Sequence, residues 1–352
     1  MAKIPILFFN FYEFLQFAQN CAIIGPMGLG ILHQFAYLVL YGRKIDLKII
    51  CSDCPRRCGV ERGEESVGFC RSGALPRVSR AAAHFGEEPC ISGTRGAGTI
   101  FFTGCNLHCV FCQNREISRG GGVGQVLTVE ALRDTMLRLR DTGVHNIELV
   151  TGSHFVRPIA EALSGVTLGV PVVWNSSGYE SVETLRLLDG LIDVYLPDMK
   201  YEKSEPARRY SGAADYPAVA EAAIREMFRQ VGSYVLSADG LLTRGVLIRH
   251  LILPGQELNA MDVMDFVAES FPAGGVLFSL MSQFTPMPGT EQWGELQQTI
   301  DPETNENLIY YMKKLGLEGY SQDVAAATGE MIPDFDGTGV EMNTENLRMK
   351  SE

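Results

Sequence analysis

The chain has 352 residues, 46% of them hydrophobic and 20% charged, so it is long enough and apolar enough to bury a large core. Its 42 acidic and 30 basic side chains give a formal net charge of −12, which repels a nucleic-acid backbone and argues against DNA or general RNA binding. Nine cysteines without a visible secretory signal lead us to expect a reducing cytoplasm, where thiols serve metals more often than disulfides.

The first 44 residues form an apolar extension that we do not count as part of the fold. Residues 22–41 carry no charge apart from a protonatable His33, but Pro26 and Gly28 interrupt them. A membrane span needs about 20 continuous apolar residues, so this sequence disfavours a membrane anchor. A packed helix, or a start codon set too far upstream, is the preferred interpretation.

A cysteine-rich segment follows at residues 45–97. Cys51, Cys54, Cys58 and Cys70 have the spacing C-x2-C-x3-C-x11-C, in a stretch rich in Gly and Arg. Four thiolates make a closed ligand set for zinc or for a second cluster. The loop-like composition fits a small fold that a bound metal stabilises, and we call the segment from Cys51 to Cys70 the knuckle. A group of unliganded reduced thiols is the alternative, and the identity of the metal stays open.

The next group of cysteines has a different spacing. The apolar run 99–103 leads into Cys105, Cys109 and Cys112, spaced C-x3-C-x2-C. Three thiolates can bind three irons of a cubic four-iron cluster and leave the fourth iron open to another ligand. Structural zinc would need a fourth ligand, and no partner pair follows Cys112. Disulfides are disfavoured because three clustered cysteines cannot all pair.

From residue 98 onward, short apolar runs alternate with amphipathic stretches, which is typical of strand–helix units around a parallel sheet. Thr128 is placed to cap the first long helix. We predict an α/β fold over residues 98–322, a partial (β/α)6 TIM-like barrel with an N-terminal cysteine-rich extension. The six predicted strands are 99–103, 147–151, 171–174, 191–196, 245–253 and 276–281.

Polar residues gather where these strands end. They include Thr151–His154, Asn175–Tyr179, Pro197–Lys200, Arg249–His250 and Ser282–Gln283. Each group alone is ordinary turn chemistry, but parallel barrels place their chemistry at the carboxyl ends of the strands. The remaining tail, 323–352, is poor in large apolar residues and is predicted to be disordered.

The second cysteine motif, with the aromatic Phe111 before its last cysteine, resembles the signature of radical S-adenosylmethionine (radical SAM) enzymes. With Leu196–Lys200 and Arg249–Gly255, the sequence from about Cys51 to Gln322 is similar to an uncharacterised group related to pyruvate formate-lyase activating enzymes. The resemblance implies a [4Fe-4S] cluster whose open iron is chelated by S-adenosylmethionine. Reductive cleavage of that cofactor then yields a 5′-deoxyadenosyl radical that abstracts hydrogen from a substrate.

The same resemblance implies a set of cofactor-binding residues. Lys200 is expected to pair with the methionyl carboxylate, and Asp198 to bind a cation or the ribose. The usual Gly-Gly-Glu after strand two, which receives the cofactor's amino group, is replaced here by Thr151–His154, so backbone carbonyls or Ser153 take that role. The full predicted set is Phe111, Ser153, Asn175, Ser176, Asp198, Lys200 and Arg249.

The resemblance leaves the reaction open among several candidates. One is activation of a glycyl-radical enzyme, with a protein substrate, and another is radical modification of a small molecule or peptide. A non-catalytic iron-sulfur or zinc-binding module is a third, although it would not need Asp198 and Lys200. The four-cysteine group precedes the radical motif, whereas the extra clusters of many activating enzymes follow it. An electron donor such as flavodoxin or ferredoxin is the expected partner.

Overall fold

The computed structural model describes residues 50–63, 68–120, 122–322 and 333–340. The predicted apolar extension, residues 1–44, lies outside these ranges, and so does most of the predicted disordered tail. In the described part of the chain, no helix combines the length and the apolar character needed to cross a membrane.

Strands and helices alternate along most of the described chain. The strands are β1 (Arg77–His84), β2 (Ala97–Phe102), β3 (Gln125–Val126), β4 (Ile147–Val150), β5 (Val172–Ser176), β6 (Val194–Pro197), β7 (Val235–Leu236), β8 (Leu242–Leu251), β9 (Leu277–Met281) and β10 (Gly319–Ser321). The helices are α1 (Pro89–Ser92), α2 (Arg115–Ser118), α3 (Val129–Asp141), α4 (Val156–Ser164), α5 (Val182–Leu185), α6 (Ser204–Ser211), α7 (Tyr216–Val231), α8 (Glu257–Ser270) and α9 (Pro302–Lys314). Short 3-10 turns lie at Ser153–Phe155, Arg186–Leu188 and Gly294–Gln297.

One sheet with parallel strands at its centre organises the fold. Its order is β10-β9-β8-β6-β5-β4-β2-β1-β3, and every pairing from β10 to β2 is parallel. All six predicted strands are present in this parallel part, which confirms the partial barrel. The two ends of the sheet do not pair with each other, so the barrel stays open. The seventh parallel strand, β10, was not predicted because it is short and largely exposed.

The sheet also extends into the predicted cysteine-rich segment. β1 pairs antiparallel with β2, from His84 opposite Ala97 to Val78 opposite Phe102. The expected boundary at residue 97 therefore falls inside a sheet and does not separate two units. The sequence did not predict β1 as a strand because it contains three consecutive alanines. Alanine is depleted in strands and gives no alternating pattern.

The helices cover the outer face of the sheet through the spacing of their apolar residues. In α3 the hydroxyl of Thr128 accepts a hydrogen bond from the Ala131 N–H at 3.2 Å, so this residue caps the helix as predicted. Leu132, Met136 and Leu139 are buried one turn apart along that helix. They pack in the same apolar cluster as Trp174, which faces outward from β5.

The inner face of the sheet changes character along the strands. Val173 lies near the amino end of β5 and Leu247 lies in the middle of β8, and both belong to a second apolar cluster. Cys90 and Ile91 from α1 pack into that cluster, so Cys90 is a packing residue. Since side chains alternate along a strand, the residues two positions later share this face but are polar. The inside is therefore apolar at one end and polar at the other.

Part of the predicted disordered tail packs on the sheet. The Ala81 N–H donates to the Thr338 carbonyl at 2.9 Å, and the Gly337 N–H donates to the Ser79 carbonyl at 3.0 Å. Phe335 is buried against the edge of Phe101, with ring centroids 5.4 Å apart. The expectation of disorder is therefore wrong for residues 333–340, because one aromatic side chain and a free strand edge suffice to hold this polar stretch.

Candidate active site

The cysteine motif lies in the loop that follows β2, residues 103–114, which we call the cluster loop. Cys105, Cys109 and Cys112 all line one cavity of about 510 Å³ at the carboxyl ends of the parallel strands. The first two cysteines are buried and the third is half-buried. A single loop thus presents three cysteines to the same cavity.

The conformation of the cluster loop depends on two residues with positive φ. Gly104 has φ +91°, and a β-carbon at this position would collide with Ser72 Oγ and the Cys70 carbonyl. His108 has φ +62°, and its ring stacks on Phe69 with centroids 4.6 Å apart. The cysteine-rich segment therefore forms part of the support on which this loop rests.

Burial raises the pKa of two of the cluster-loop thiols, Cys105 and Cys109. The pKa of Cys109 rises to about 12, although Lys200 opposes both shifts. Thiols in such a place ionise when a positive ion balances the thiolate. No three His, Cys, Asp or Glu side chains of the described residues converge as a single-ion site requires. A cubane cluster does not need that convergence, because each cysteine binds a different iron. The three residues fit such a cluster.

Opposite this loop, charged side chains from successive strand ends form one hydrogen-bonded network. Lys200 Nζ lies 2.6 Å from Asp198 Oδ2, and Arg249 Nε lies 3.0 Å from Asp198 Oδ1. Arg249 also donates to Asn175 Oδ1 at 2.6 Å. Burial would raise the pKa of Asp198, but Lys200 and Arg249 outweigh it and lower the pKa. The predicted strand-end residues are thus adjacent in space.

Two acidic residues of this network were not predicted from the sequence. Glu87 pairs with Arg249 at 2.9 Å, and Glu148 accepts hydrogen bonds from Asn175 at 2.7 Å and Thr99 at 2.8 Å. Burial raises the pKa of both carboxyl groups. Glu148 could have been identified from the sequence, because it is the only charged residue inside the apolar run 147–151. No sequence feature points to Glu87, because it lies in a loop before the core begins.

Six of the seven residues predicted to bind the cofactor line the cavity. These are Phe111, Asn175, Ser176, Asp198, Lys200 and Arg249. The hydroxyl of Ser176 is occupied, because it donates to Glu180 at 2.6 Å.

Ser153 is the exception. It lies in the 3-10 turn Ser153–Phe155, does not line the cavity and hydrogen-bonds Glu180. Thr151, directly after β4, has φ +61° and does line the cavity, so the role of Ser153 toward the cofactor stays a prediction.

The four-cysteine group forms a hairpin-like knuckle next to the cluster loop. The Cys51 N–H donates to the Val60 carbonyl at 2.8 Å, and the Gly59 N–H returns a bond to the Cys51 carbonyl at 3.1 Å. Burial raises the pKa of Cys54 to about 11, and its three partner thiols add to that effect. The eight described cysteines are free thiols. The four sulfurs of the knuckle are near one another but not assembled around one point.

Comparison with known proteins supports the family. Residues 99–266 match the sequence model of the radical SAM superfamily. The chain is 28% identical over 279 residues to an uncharacterized protein of Methanocaldococcus jannaschii, MJ0674, and the match covers 76% of this chain and 75% of that protein.

Among solved structures, SuiB of Streptococcus suis bound to the precursor peptide SuiA is similar at 13% identity, with a TM-score of 0.44 and coverage of 64% of this chain and 49% of SuiB. A domain of a pyruvate-formate lyase-activating enzyme from Bacteroides vulgatus is similar at 16% identity, with a TM-score of 0.32 and coverage of 55% and 91%. This chain thus spans about half the length of SuiB, and we infer no substrate from either likeness. The segment 99–266, which carries the cysteine motif on one wall of a partial-barrel cavity, therefore matches the radical SAM superfamily.

Proposed function

We propose that this chain cleaves S-adenosylmethionine reductively and abstracts hydrogen from a substrate. A radical SAM domain implies a [4Fe-4S] cluster and S-adenosylmethionine. The observation that carries the proposal is that Cys105, Cys109 and Cys112 share one cavity with the Asp198–Lys200–Arg249 network. A module that only transferred electrons would have no need for this network.

The residues of the cavity can hold and orient a zwitterionic cofactor. Lys200 has three N–H donors, and Asp198 takes one of them, which leaves donors for a carboxylate. Asp198 already accepts from Lys200 and Arg249, so it fixes the position of both cations. When bound, the cluster and S-adenosylmethionine supply the electron and the radical, while the protein supplies position and exclusion of water.

Two substrate classes remain candidates. The similarity of the sequence to activating enzymes supports a glycine on a partner protein. Modification of a small molecule or peptide is the alternative, and the chain's departures from activating enzymes favour it. Thr151–His154 stand in place of the usual acidic motif, and Ser153 does not line the cavity. A flavodoxin or ferredoxin as electron donor and a cytoplasmic location belong to the same proposal, because the cluster needs low-potential electrons and thiols that stay reduced.

We also propose that Cys51, Cys54, Cys58 and Cys70 bind a second metal, either zinc or a second cluster. Their spacing and their mutual electrostatic influence support this assignment. Because the four sulfurs are not assembled around one point, metal binding would draw the knuckle together. Four thiolates leave no open position, so this site would not cleave S-adenosylmethionine.

Anaerobic reconstitution tests the main proposal. The radical site requires about four irons and four sulfides, with a further complement if the knuckle takes a cluster. Addition of a strong reductant and S-adenosylmethionine should then produce 5′-deoxyadenosine. Well-folded protein that binds no iron at Cys105, Cys109 and Cys112, or that forms no 5′-deoxyadenosine, would refute the proposal.

A further inference from the structure

Arg56 connects the cysteine-rich knuckle to the cluster loop. It lies between Cys54 and Cys58, outside the barrel, yet its Nε donates to the Asn106 carbonyl at 2.9 Å and its Nη2 to the Leu107 carbonyl at 3.3 Å. Both carbonyls belong to the stretch between Cys105 and Cys109. A cation from one cysteine motif therefore holds the backbone of the other.

The same guanidinium also reaches the end of α6. Its Nη2 donates to the Ser211 carbonyl at 3.0 Å and its Nη1 to the Gly212 carbonyl at 2.7 Å. The last carbonyls of a helix have no partner within the helix, and a cation is favoured there by the helix dipole. Arg56 thus fastens the cluster loop to the carboxyl end of a core helix.

Two of the four residues that Arg56 holds also donate hydrogen bonds to sulfur. The Leu107 N–H donates to Cys105 Sγ at 3.3 Å, and the Ser211 hydroxyl donates to Cys109 Sγ at 3.0 Å. Hydrogen bonds to the sulfurs of an iron-sulfur cluster help to set its reduction potential. Arg56 therefore influences both hydrogen bonds to sulfur, because it holds Leu107 and Ser211, the two residues that donate them.

Arg56 is itself fixed from the side of the knuckle. Its guanidinium carbon lies 4.1 Å from the centroid of the Phe69 ring and 5.2 Å from that of the Tyr179 ring. Phe69 immediately precedes Cys70, and the Tyr179 carbonyl accepts from Asn106 Nδ2 at 2.7 Å. Stacking on two aromatic faces limits the movement of the guanidinium.

We propose that Arg56 is a positioning residue for the radical cluster. By fixing Leu107 and Ser211 it maintains the hydrogen bonds to Cys105 and Cys109, and so sets the reduction potential of the cluster. This inference rests on the proposed function, since it requires a [4Fe-4S] cluster on the cluster loop. It also gives the cysteine-rich segment a part in the radical chemistry beyond its own metal.

The sign of the effect follows from charge. Hydrogen-bond donors to sulfur, and a nearby cation, stabilise the more negative, reduced cluster. Arg56→Ala should therefore lower the reduction potential. We expect the ratio of reduced to oxidised cluster at a fixed poise to fall about tenfold, which corresponds to 59 mV for a one-electron couple. Iron content should change little, because all three cysteines remain.

The experiment is a redox titration of the reconstituted holoenzyme. The readout is the electron paramagnetic resonance signal of the reduced radical-site cluster. Cys51, Cys54, Cys58 and Cys70 are left unchanged in every variant. Arg56→Ala is compared with Arg56→Lys, which keeps the charge but not the planar fork, and is expected to recover only part of the shift. Arg57→Ala is the matched control, because Arg57 is the exposed neighbour in the same knuckle, and it should titrate like wild type. Ser211→Ala removes one sulfur hydrogen bond directly and should shift the potential in the same direction.

A full cluster with the wild-type potential in Arg56→Ala would overturn the inference. If that variant does not fold, Phe69→Leu provides the second test, since Phe69 is 41% exposed and its loss removes only the stacking on Arg56 and His108. An unchanged potential in that variant would then count against the role. Failure of wild-type protein to assemble a cluster at Cys105, Cys109 and Cys112 would instead refute the proposed function, which keeps the two failures distinct.

Discussion

At the scale of single residues, the cavity wall concentrates charge where little water can screen it. The side chains of Asp198, Lys200 and Arg249 are 17%, 17% and 13% exposed. Removing such charges from water is costly, and the cost is offset only when the geometry is good and the remaining polar atoms are satisfied. Both oxygens of Asp198 have cationic partners, which meets that condition. A network of this cost is better explained by ligand binding than by stability.

Lys200 provides the first prediction. Lys200→Ala should weaken the binding of S-adenosylmethionine while the cluster content stays intact, because a charge-assisted hydrogen bond contributes about 1.5 to 3 kcal/mol. Anaerobic titration of the reconstituted protein measures this as a loss of roughly 10- to 150-fold in affinity. Lys313→Ala, at an exposed position of α9, is the control. Unchanged affinity in Lys200→Ala would move the role to another cation, such as Arg249.

The cluster-loop cysteines provide the second prediction. Replacement of Cys105, Cys109 or Cys112 by Ala should abolish iron-sulfur absorbance from this site and all formation of 5′-deoxyadenosine, because each thiolate binds its own iron. Cys90→Ala is the matched control, since Cys90 is buried in an apolar cluster away from that loop. A triple cluster-loop variant that still forms 5′-deoxyadenosine would contradict the assignment.

At the scale of elements, two buried histidines tie strand ends to their neighbours. His154 Nε2 lies 3.0 Å from the Thr103 carbonyl, and His250 Nδ1 lies 2.7 Å from the Met199 carbonyl. Among the described residues, the second ring nitrogen of each has no hydrogen-bond partner. A proton placed there would create a buried N–H without an acceptor, so both rings are held neutral. Burial accordingly lowers the pKa of His154 to about 3 and that of His250 to about 4.

These histidines predict a loss of stability in acid. Each pKa is lower in the folded than in the unfolded state, so the unfolded chain binds more protons between about pH 6.5 and pH 4. Each histidine should therefore reduce the free energy of unfolding by about 2 kcal/mol between pH 7 and pH 5. Urea denaturation at the two pH values measures the change. Buried carboxyl groups with raised pKa act in the opposite direction, so the comparison is with variants.

His154→Gln and His250→Gln keep a donor for each carbonyl but cannot be protonated in this range. Each substitution should make stability less dependent on pH. A double variant whose free energy of unfolding falls as much as that of wild type would contradict the assignment.

At the scale of the whole molecule, the segments that precede and follow the barrel in the sequence pack against it. Asp53, in the knuckle, accepts from Arg157 of α4 at 2.7 Å, and its carbonyl accepts from Thr184 of α5 at 3.0 Å. On the far side of the sequence, Asp336 pairs with Arg80 of β1 at 3.2 Å. These contacts make the cysteine-rich segment and residues 333–340 part of one folded unit with the sheet.

The knuckle provides a prediction at this scale. A variant without Cys105, Cys109 and Cys112 should still bind zinc or iron if Cys51, Cys54, Cys58 and Cys70 form the second metal site that we propose. Metal analysis of that variant under anaerobic conditions is the measurement. Absence of both metals would show that these cysteines are only reduced thiols. If the metal is structural, replacing the four with Ser should lower the yield of folded protein more than the activity of what remains soluble.

The sequence alone determined the features that depend on local pattern. Six apolar runs were enough to predict the parallel strands, because strands buried on both faces must be continuously apolar. The spacing of Cys105, Cys109 and Cys112 indicated a cluster, since few other sites use three thiolates so close together. The strand-end position of Asp198, Lys200 and Arg249 followed from the strand assignment alone.

Only the tertiary structure decided which distant groups meet. Glu87 joins Arg249 across 162 residues, and Arg56 reaches Ser211 across 155, and neither contact leaves a periodic trace in the sequence. Ser153 does not line the cavity, and the positive φ of Thr151 just before it could not be predicted from a threonine in the sequence. Local spacing therefore indicated the kind of metal site at Cys105, Cys109 and Cys112. The packing of remote segments decided which side chains surround that site. Such contacts depend on the path of the whole chain and not on the residues next to each side chain in the sequence.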